Sequence, residues 1–202
     1  MFFTWGSNEP SSALEFIRSD SSIGGLSPTL QRASLAGWAK SDPEAAVTAS
    51  LESSRTRKDP GQFANTLANW ATLDLDASSQ WLLANVSASD ERTSATRELA
   101  AIFAQQDPAA GTVWLDKLTA GQERDYAAGT LVAEWSRDAP AEAAKWAASQ
   151  TSSKLAPEAV DEVCRNFLRR DSAAFQTWRD ALPAGVIKDQ AVQVGATSDE
   201  ED

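Results

Sequence analysis

The stretch FAQQDPAAGTVW, residues 103–114, contains the pattern that decides the fold of this chain. An aromatic residue, Phe103, is followed four positions later by Asp107-Pro108, and a second aromatic residue, Trp114, stands eleven positions after the first. Aspartate is favoured as a helix N-cap because its carboxylate accepts hydrogen bonds from free N–H groups, and proline suits the first helical position. The stretch therefore predicts the end of one helix, a tight bend and the start of another.

The same pattern recurs along the chain at nearly constant intervals. The first aromatic position, the mark, is occupied by Trp5, Trp38, Trp70, Phe103, Trp135 and Phe167. The second position, eleven positions later, holds Phe16, Ala49, Trp81, Trp114, Trp146 and Trp178, so these two positions account for all 8 tryptophans. A period in the low thirties, as here, is typical of stacked helical hairpins, in which each unit buries its apolar face against its neighbours.

A set of three sequence positions ahead of each mark predicts the buried face of the first helix of a hairpin. Residues three, four and seven positions before the mark share one helical face. They are Leu35, Leu67, Ala100, Val132 and Cys164; Ser34, Thr66, Leu99, Leu131 and Val163; and Gln31, Phe63, Thr96, Ala128 and Val160. Polar segments rich in helix-breaking residues, such as residues 53–61, are expected to follow the second helix. Persistent β-branched alternation, the signature of a strand, is missing from the sequence.

These patterns predict an all-α fold, a right-handed α-solenoid of about six helix-turn-helix repeats. We expect a single repeat domain over residues 1–198 and a disordered acidic tail at residues 199–202. A last helix is predicted at about Val186 to Val194, as a half-unit cap. Because the chain opens only four residues before its first mark, we expect it to be part of a longer protein.

The junctions between hairpins resemble those of the tetratricopeptide repeat, in which a linker proline precedes a tryptophan of the next unit. Asp107-Pro108 with Trp114 has this spacing, as do Glu9-Pro10 with Phe16 and Ala139-Pro140 with Trp146. Asp42-Pro43 departs from it, with Ala49 in place of the aromatic residue, and the period is slightly shorter than that of the family. The resemblance implies a module that binds peptides or partner proteins in a concave groove and is rarely an enzyme.

The composition limits the classes of binding partner and the cellular compartment that we expect for this protein. With 18 Lys and Arg against 29 Asp and Glu, the net charge of −11 disfavours nucleic acid and anionic membrane surfaces. No apolar run approaches the roughly 20 residues that span a bilayer. The single cysteine, Cys164, excludes an internal disulfide, and we favour a soluble cytoplasmic protein over a periplasmic one.

Residue types needed for catalysis or metal binding are scarce. The absence of histidine removes the commonest general base and metal ligand, and Cys164 falls in an apolar column that predicts an inert thiol. Asp74, Asp76 and Ser78 have the spacing that opens a calcium loop, but the glycine and the terminal acidic residue of that loop are lacking. We therefore predict no catalytic, cofactor-binding or metal-binding residues and no enzymatic activity.

The leading functional hypothesis is a non-catalytic scaffold or module that binds a protein or peptide. Its candidate partner-binding residues are Arg165, Arg169, Arg170 and Arg179, which would dock an acidic segment. The simpler interpretation of these arginines is charge balance at helix C-termini. Two other functions remain open. One is a carboxylate-dependent hydrolase on a toroid of helical hairpins, and the other is a structural module that self-associates through its N-terminal end.

Overall fold

A computed structural model describes residues 2–19, 27–150 and 154–198 of the chain. The acidic residues 199–202, for which disorder was predicted, lie outside the described residues. The described residues form thirteen helices and no strand, which confirms the all-α prediction. The helices are α1 (Phe2–Asn8), α2 (Pro10–Ser19), α3 (Ser27–Ser41), α4 (Pro43–Arg57), α5 (Pro60–Ala71), α6 (Leu75–Asn85), α7 (Asp90–Gln106), α8 (Pro108–Leu115), α9 (Gln122–Asp138), α10 (Pro140–Ser149), α11 (Pro157–Arg170), α12 (Ser172–Ala181) and α13 (Val186–Ser198).

The chain divides into two compact units, Met1–Ile102 and Phe103–Asp202, called unit 1 and unit 2. Within unit 1, α3 packs against α1, α2, α4 and α5, and α5 also packs against α4 and α6. Within unit 2, α9 packs against α8, α10 and α11, and α11 also packs against α10, α12 and α13. In each unit a helix thus contacts both the next helix and the one after it, as stacked hairpins require.

The predicted buried face is the buried face of the first helix in five of the six hairpins. All the side chains three, four and seven positions before the marks at residues 38, 70, 103, 135 and 167 are buried. They lie on α3, α5, α7, α9 and α11. Full burial of a leucine-sized side chain contributes about 1.5–3 kcal/mol, so the apolar members of this face stabilise the hairpins to which they belong.

The two aromatic positions form a ring pair in five of the six hairpins. Centroid distances are 5.4 Å for Trp5–Phe16, 6.2 Å for Trp70–Trp81, 5.0 Å for Phe103–Trp114, 6.5 Å for Trp135–Trp146 and 5.7 Å for Phe167–Trp178. Such pairs contribute about 0.5–1.5 kcal/mol beyond their buried area. The spacing of eleven positions therefore places the second ring against the first across the bend. The remaining hairpin has Trp38 and Ala49 at these positions and has no ring pair.

The bends between paired helices begin with the predicted aspartate caps. Asp42, Asp74, Asp107 and Asp171 each accept a hydrogen bond from the backbone N–H three residues ahead, at 3.1, 2.9, 2.9 and 2.9 Å. Asp59, which stands before Pro60 at the start of α5, makes no such side-chain bond. Its carbonyl oxygen instead accepts a hydrogen bond from the Ser54 hydroxyl at 2.6 Å. These four acidic caps all lie where the two helices of one hairpin meet, whereas the bend at Ala139 has no side-chain cap.

The structure departs from the sequence prediction at the end of α4. Residues 53–61 were expected to lie outside the helix, but α4 continues to Arg57 and ends at Lys58, whose φ of 56° is left-handed. Ser53 and Ser54 are buried in this last stretch, and Ser53 Oγ accepts a hydrogen bond from Gln31 Nε2 at 2.9 Å. Tertiary contacts thus retain an extra helical turn that serine propensity alone disfavours. Similarly, α13 extends beyond the predicted Val194 to Ser198.

Candidate functional site

The four arginines predicted to bind a partner lie on two helices. Arg165, Arg169 and Arg170 occupy the C-terminal half of α11, where all three are exposed. Arg165 Nε donates to Asp161 Oδ2 at 2.6 Å, and the Arg169 guanidinium donates to Asn166 Oδ1. Arg179 lies on α12, where its Nε donates to Asp180 Oδ1 at 2.9 Å. The structure therefore groups the α11 arginines and gives Arg179 an acidic partner of its own.

Carboxylates on the same helix balance the charge of the α11 arginines. Glu158, Asp161 and Glu162 precede them along α11, and Glu162 also pairs with Arg137 of α9 at 3.3 Å. Acidic residues near the N-terminus of a helix and basic residues near its C-terminus are both favoured by the helix dipole. This arrangement supports the charge-balance interpretation, and binding of an acidic segment by the arginines stays a prediction.

Cys164 lies on the opposite, buried side of α11 and is fully enclosed. Burial, together with the nearby carboxylate of Asp161, raises the pKa of its thiol to about 12. The thiol is therefore protonated at neutral pH, whereas nucleophilic attack and metal binding require the thiolate. A raised folded-state pKa stabilises the fold below the ordinary thiol pKa, and this contribution is lost as pH rises toward 12. The geometry favours a packing role for this side chain.

Unit 2 contains an open cavity of about 540 Å³, called the apolar groove, that the sequence analysis did not identify. Its apolar walls include Ala147, Ala148, Leu155, Val160, Leu182 and Ile187. These residues come from the end of α10, the segment before α11, α11 itself, the α12–α13 connection and the start of α13. Because the walls come from separate segments and share no motif, a reading along the sequence gives no signal for the groove.

The charged side chains that line the apolar groove are both lysines. Lys188 Nζ donates to the Leu182 carbonyl at 2.9 Å, which fixes the ammonium group near the end of α12. Lys154 is exposed, and its backbone N–H donates to Asp125 Oδ1 at 2.9 Å. Binding cavities for small ligands and side chains usually measure about 300–1,000 Å³, with apolar walls and few polar groups. The groove therefore suits an apolar side chain accompanied by negative charge.

The predicted arginines and the apolar groove occupy different parts of α11. Val160 lines the groove from the N-terminal half of the helix, whereas Arg169 lies about 14 Å further along the helix axis, given a rise of about 1.5 Å per residue. Arg165 and Arg169 also project from the face opposite the buried Val160 and Val163. The arginines and the groove are therefore two separate candidate surfaces.

Two further observations bear on the class of protein. None of the described helices has the length and hydropathy that crossing a bilayer would require. Comparison of the chain with protein-family models, with curated proteins and with solved structures gave no match. The geometry of the described residues is therefore the basis for any proposal about function.

Proposed function

We propose that this protein is a non-catalytic module that binds a protein or peptide partner through a tetratricopeptide-like array of helical hairpins. The observation that carries the proposal is the apolar groove of unit 2, with its apolar walls and the two lysines at its edge. A segment that presents a leucine-sized side chain next to aspartate or glutamate matches this surface in both shape and charge. The groove would bury the apolar side chain while the lysines attract the carboxylate.

The size of the groove limits the affinity that it can supply alone. Burial of one leucine-sized side chain contributes about 1.5–3 kcal/mol, and an exposed ion pair adds about 0–1 kcal/mol. These contributions correspond to a dissociation constant of about 1 mM or weaker. A physiological partner must therefore extend its contacts beyond the groove, for example over neighbouring hairpins.

A site-specific photo-crosslinking experiment tests this proposal. A photoreactive amino acid replaces Ala148, which lines the groove, or Ala173, an exposed alanine of α12, as the matched control. We expect a polypeptide of the source cell to be crosslinked from position 148 and not from position 173. The crosslinked polypeptide is then purified, and its binding to the unmodified chain is measured.

A pair of charge substitutions decides whether that binding uses the groove. Ala148→Glu adds bulk and negative charge to the groove, so we expect binding at least about tenfold weaker, which corresponds to about 1.4 kcal/mol. Ala173→Glu adds the same charge on α12 and should leave affinity unchanged. Equal affinities for both variants would refute the proposal. Arg169→Glu combined with Arg170→Glu, measured in the same assay, tests the arginine surface separately.

We also propose that the hairpins of both units continue one right-handed superhelix. The sequence period supports this, because the step from Trp70 to Phe103 is 33 residues long, the other steps are 32 or 33, and this step crosses from unit 1 to unit 2 without a gap. Small-angle X-ray scattering of the full chain measures the radius of gyration. A compact globule of this length has a radius of about 17 Å, whereas an extended superhelix gives a clearly larger value. A measured value equal to that of the globule would contradict the superhelix.

A further inference from the structure

The hairpin that lacks a ring pair has an open cavity beside its mark. The other five hairpins bring a second ring to within 6.5 Å of the first. Here Ala49 takes the place of that ring, and a cavity of about 460 Å³ lies against both Trp38 and Ala49. The remaining lining residues are Ser11, Leu14 and Glu15 of α2 and Glu52 of α4. We call this space the Trp38 cavity.

The groups around the Trp38 cavity are suited to a positively charged ligand. Trp38 is half-buried, so part of its ring remains accessible, and Glu15 and Glu52 are exposed. Among the described residues, neither of these two carboxylates takes part in a hydrogen bond or an ion pair. A tryptophan face attracts a cation within about 6 Å of its centroid, and carboxylates form charge-assisted hydrogen bonds with ammonium and guanidinium groups.

We propose that the Trp38 cavity binds the side chain of a lysine or arginine presented by a partner polypeptide. The chain carries a net charge of −11, which attracts a basic partner before contact. The exposed carboxylates lie at the surface, so a side chain can enter while its backbone stays outside. This site belongs to unit 1 and is independent of the apolar groove in unit 2, so each can fail its test without affecting the other.

The occupant can be tested by fluorine NMR on the full chain labelled with 5-fluorotryptophan. The chain has 8 tryptophans, and the signal lost in Trp38→Phe identifies Trp38. The probes are the blocked tripeptides Gly-Lys-Gly, Gly-Arg-Gly and Gly-norleucine-Gly. We expect the lysine or arginine peptide to shift the Trp38 signal saturably, with a dissociation constant of roughly millimolar size. The uncharged norleucine peptide should leave the signal unchanged.

Substitutions of the lining residues give the decisive comparison. Glu15→Gln together with Glu52→Gln should weaken binding of the basic peptide at least about tenfold. Glu44→Gln, at an exposed residue of α4 outside the cavity lining, is the control and should change the affinity less than twofold. Ala49→Trp restores the ring of the other hairpins and should abolish binding. Should that variant fail to fold, the glutamate pair still decides the outcome.

Several results would overturn the proposal. One is an unshifted Trp38 signal at peptide concentrations up to about 100 mM, well above the expected dissociation constant. Another is a norleucine peptide that binds as tightly as the lysine peptide, since the cavity would then select apolar bulk. Unchanged affinity in the double glutamine variant would show that the two carboxylates do not contribute to binding.

Discussion

Unit 1 and unit 2 share the helical-hairpin pattern but differ in the polarity of their buried side chains. Among the described residues of unit 1, the buried side chains include ten polar ones: Gln31, Ser34, Ser50, Ser53, Ser54, Gln62, Thr66, Ser78, Ser79 and Thr96. In unit 2 the described buried polar side chain is Ser136, and the rest of the core is apolar. Gln31 and Ser34 occupy the columns that hold Val160 and Val163 in unit 2. The hairpin geometry therefore does not require an apolar residue at every buried position.

The polar interior of unit 1 is held by hydrogen bonds between helices. Ser50 Oγ lies 3.0 Å from Thr66 Oγ1, and Gln31 Nε2 donates to Ser53 Oγ at 2.9 Å. Each such bond contributes about 0.5–1.5 kcal/mol net, and a buried group without a partner costs about 1–3 kcal/mol. Two atoms of unit 1, Gln31 Oε1 and Gln62 Nε2, are buried without a partner, against one described atom of unit 2, Trp114 Nε1. We therefore expect unit 1 to be the less stable of the two.

The largest effect is expected from removing an aromatic side chain from the apolar core of unit 2. Phe175 is fully buried, with ring centroids 5.8 Å from those of both Phe167 and Trp178. Phe175→Ala should lower the free energy of unfolding by about 3–5 kcal/mol, as measured by urea denaturation. Thr177→Ala, at an exposed position on the same helix, is the control. A loss below about 1 kcal/mol would show that the core of unit 2 collapses around the gap.

A glycine pair in unit 2 tests how closely its helices approach. A Cβ atom on Gly111 would lie 2.6 Å from Leu131 Cδ1 and 2.8 Å from Phe103 Cβ. Gly111→Ala should therefore destabilise unit 2 by about 1–3 kcal/mol, despite the higher helix propensity of alanine. At Gly129 the nearest atom, Ala159 Cβ, is 3.5 Å away, so Gly129→Ala should stabilise the chain by up to about 1 kcal/mol. Thermal denaturation of the two variants distinguishes these opposite signs.

The aspartate caps should contribute equally in the two units, unlike the cores. Asp42→Ala in unit 1 and Asp171→Ala in unit 2 each remove a bond to a helix N-terminus, and each should cost about 1 kcal/mol. Asp59→Ala provides the control, because Asp59 makes no side-chain cap bond. Urea denaturation measures all three. If Asp59→Ala costs as much as the other two, the losses do not come from capping.

The smallest expected effect concerns the unpartnered amide of unit 1. Gln62→Met preserves the length of the side chain and removes the buried Nε2 donor that has no partner. The free energy of unfolding should rise by up to about 1 kcal/mol. Gln105→Met makes the same change at an exposed position of α7 and controls for helix propensity. A marked loss of stability in Gln62→Met would mean that the amide is hydrogen-bonded in solution, for example to an internal water molecule.

The sequence predicted those features of the molecule that depend on residues close together along the chain. The ring pairs depend on a spacing of eleven positions, and the Asp107 cap depends on a spacing of three, so both could be read from the pattern. The end of α4 could not, because a contact from the sequence-distant Gln31 helps to hold Ser53 in the helix. The apolar groove was missed for the same reason, since separate segments form its walls. Ala49 is visible in the sequence as a break in the pattern, but the cavity beside it depends on where the fold places Glu15 and Glu52.

Several hairpins contain both an aspartate that caps the second helix and a ring pair that packs the two helices together. Asp107 with Phe103 and Trp114 is one example. Within each unit, neighbouring hairpins pack through equivalent helices, such as α3 with α5 and α9 with α11. A gene encoding such a chain can therefore gain or lose a whole segment of one period without creating a new kind of interface between hairpins. We expect homologues to differ in length by multiples of this period. We also expect the hairpin that contains Ala49 to be a copy whose sequence has diverged from that of the other hairpins.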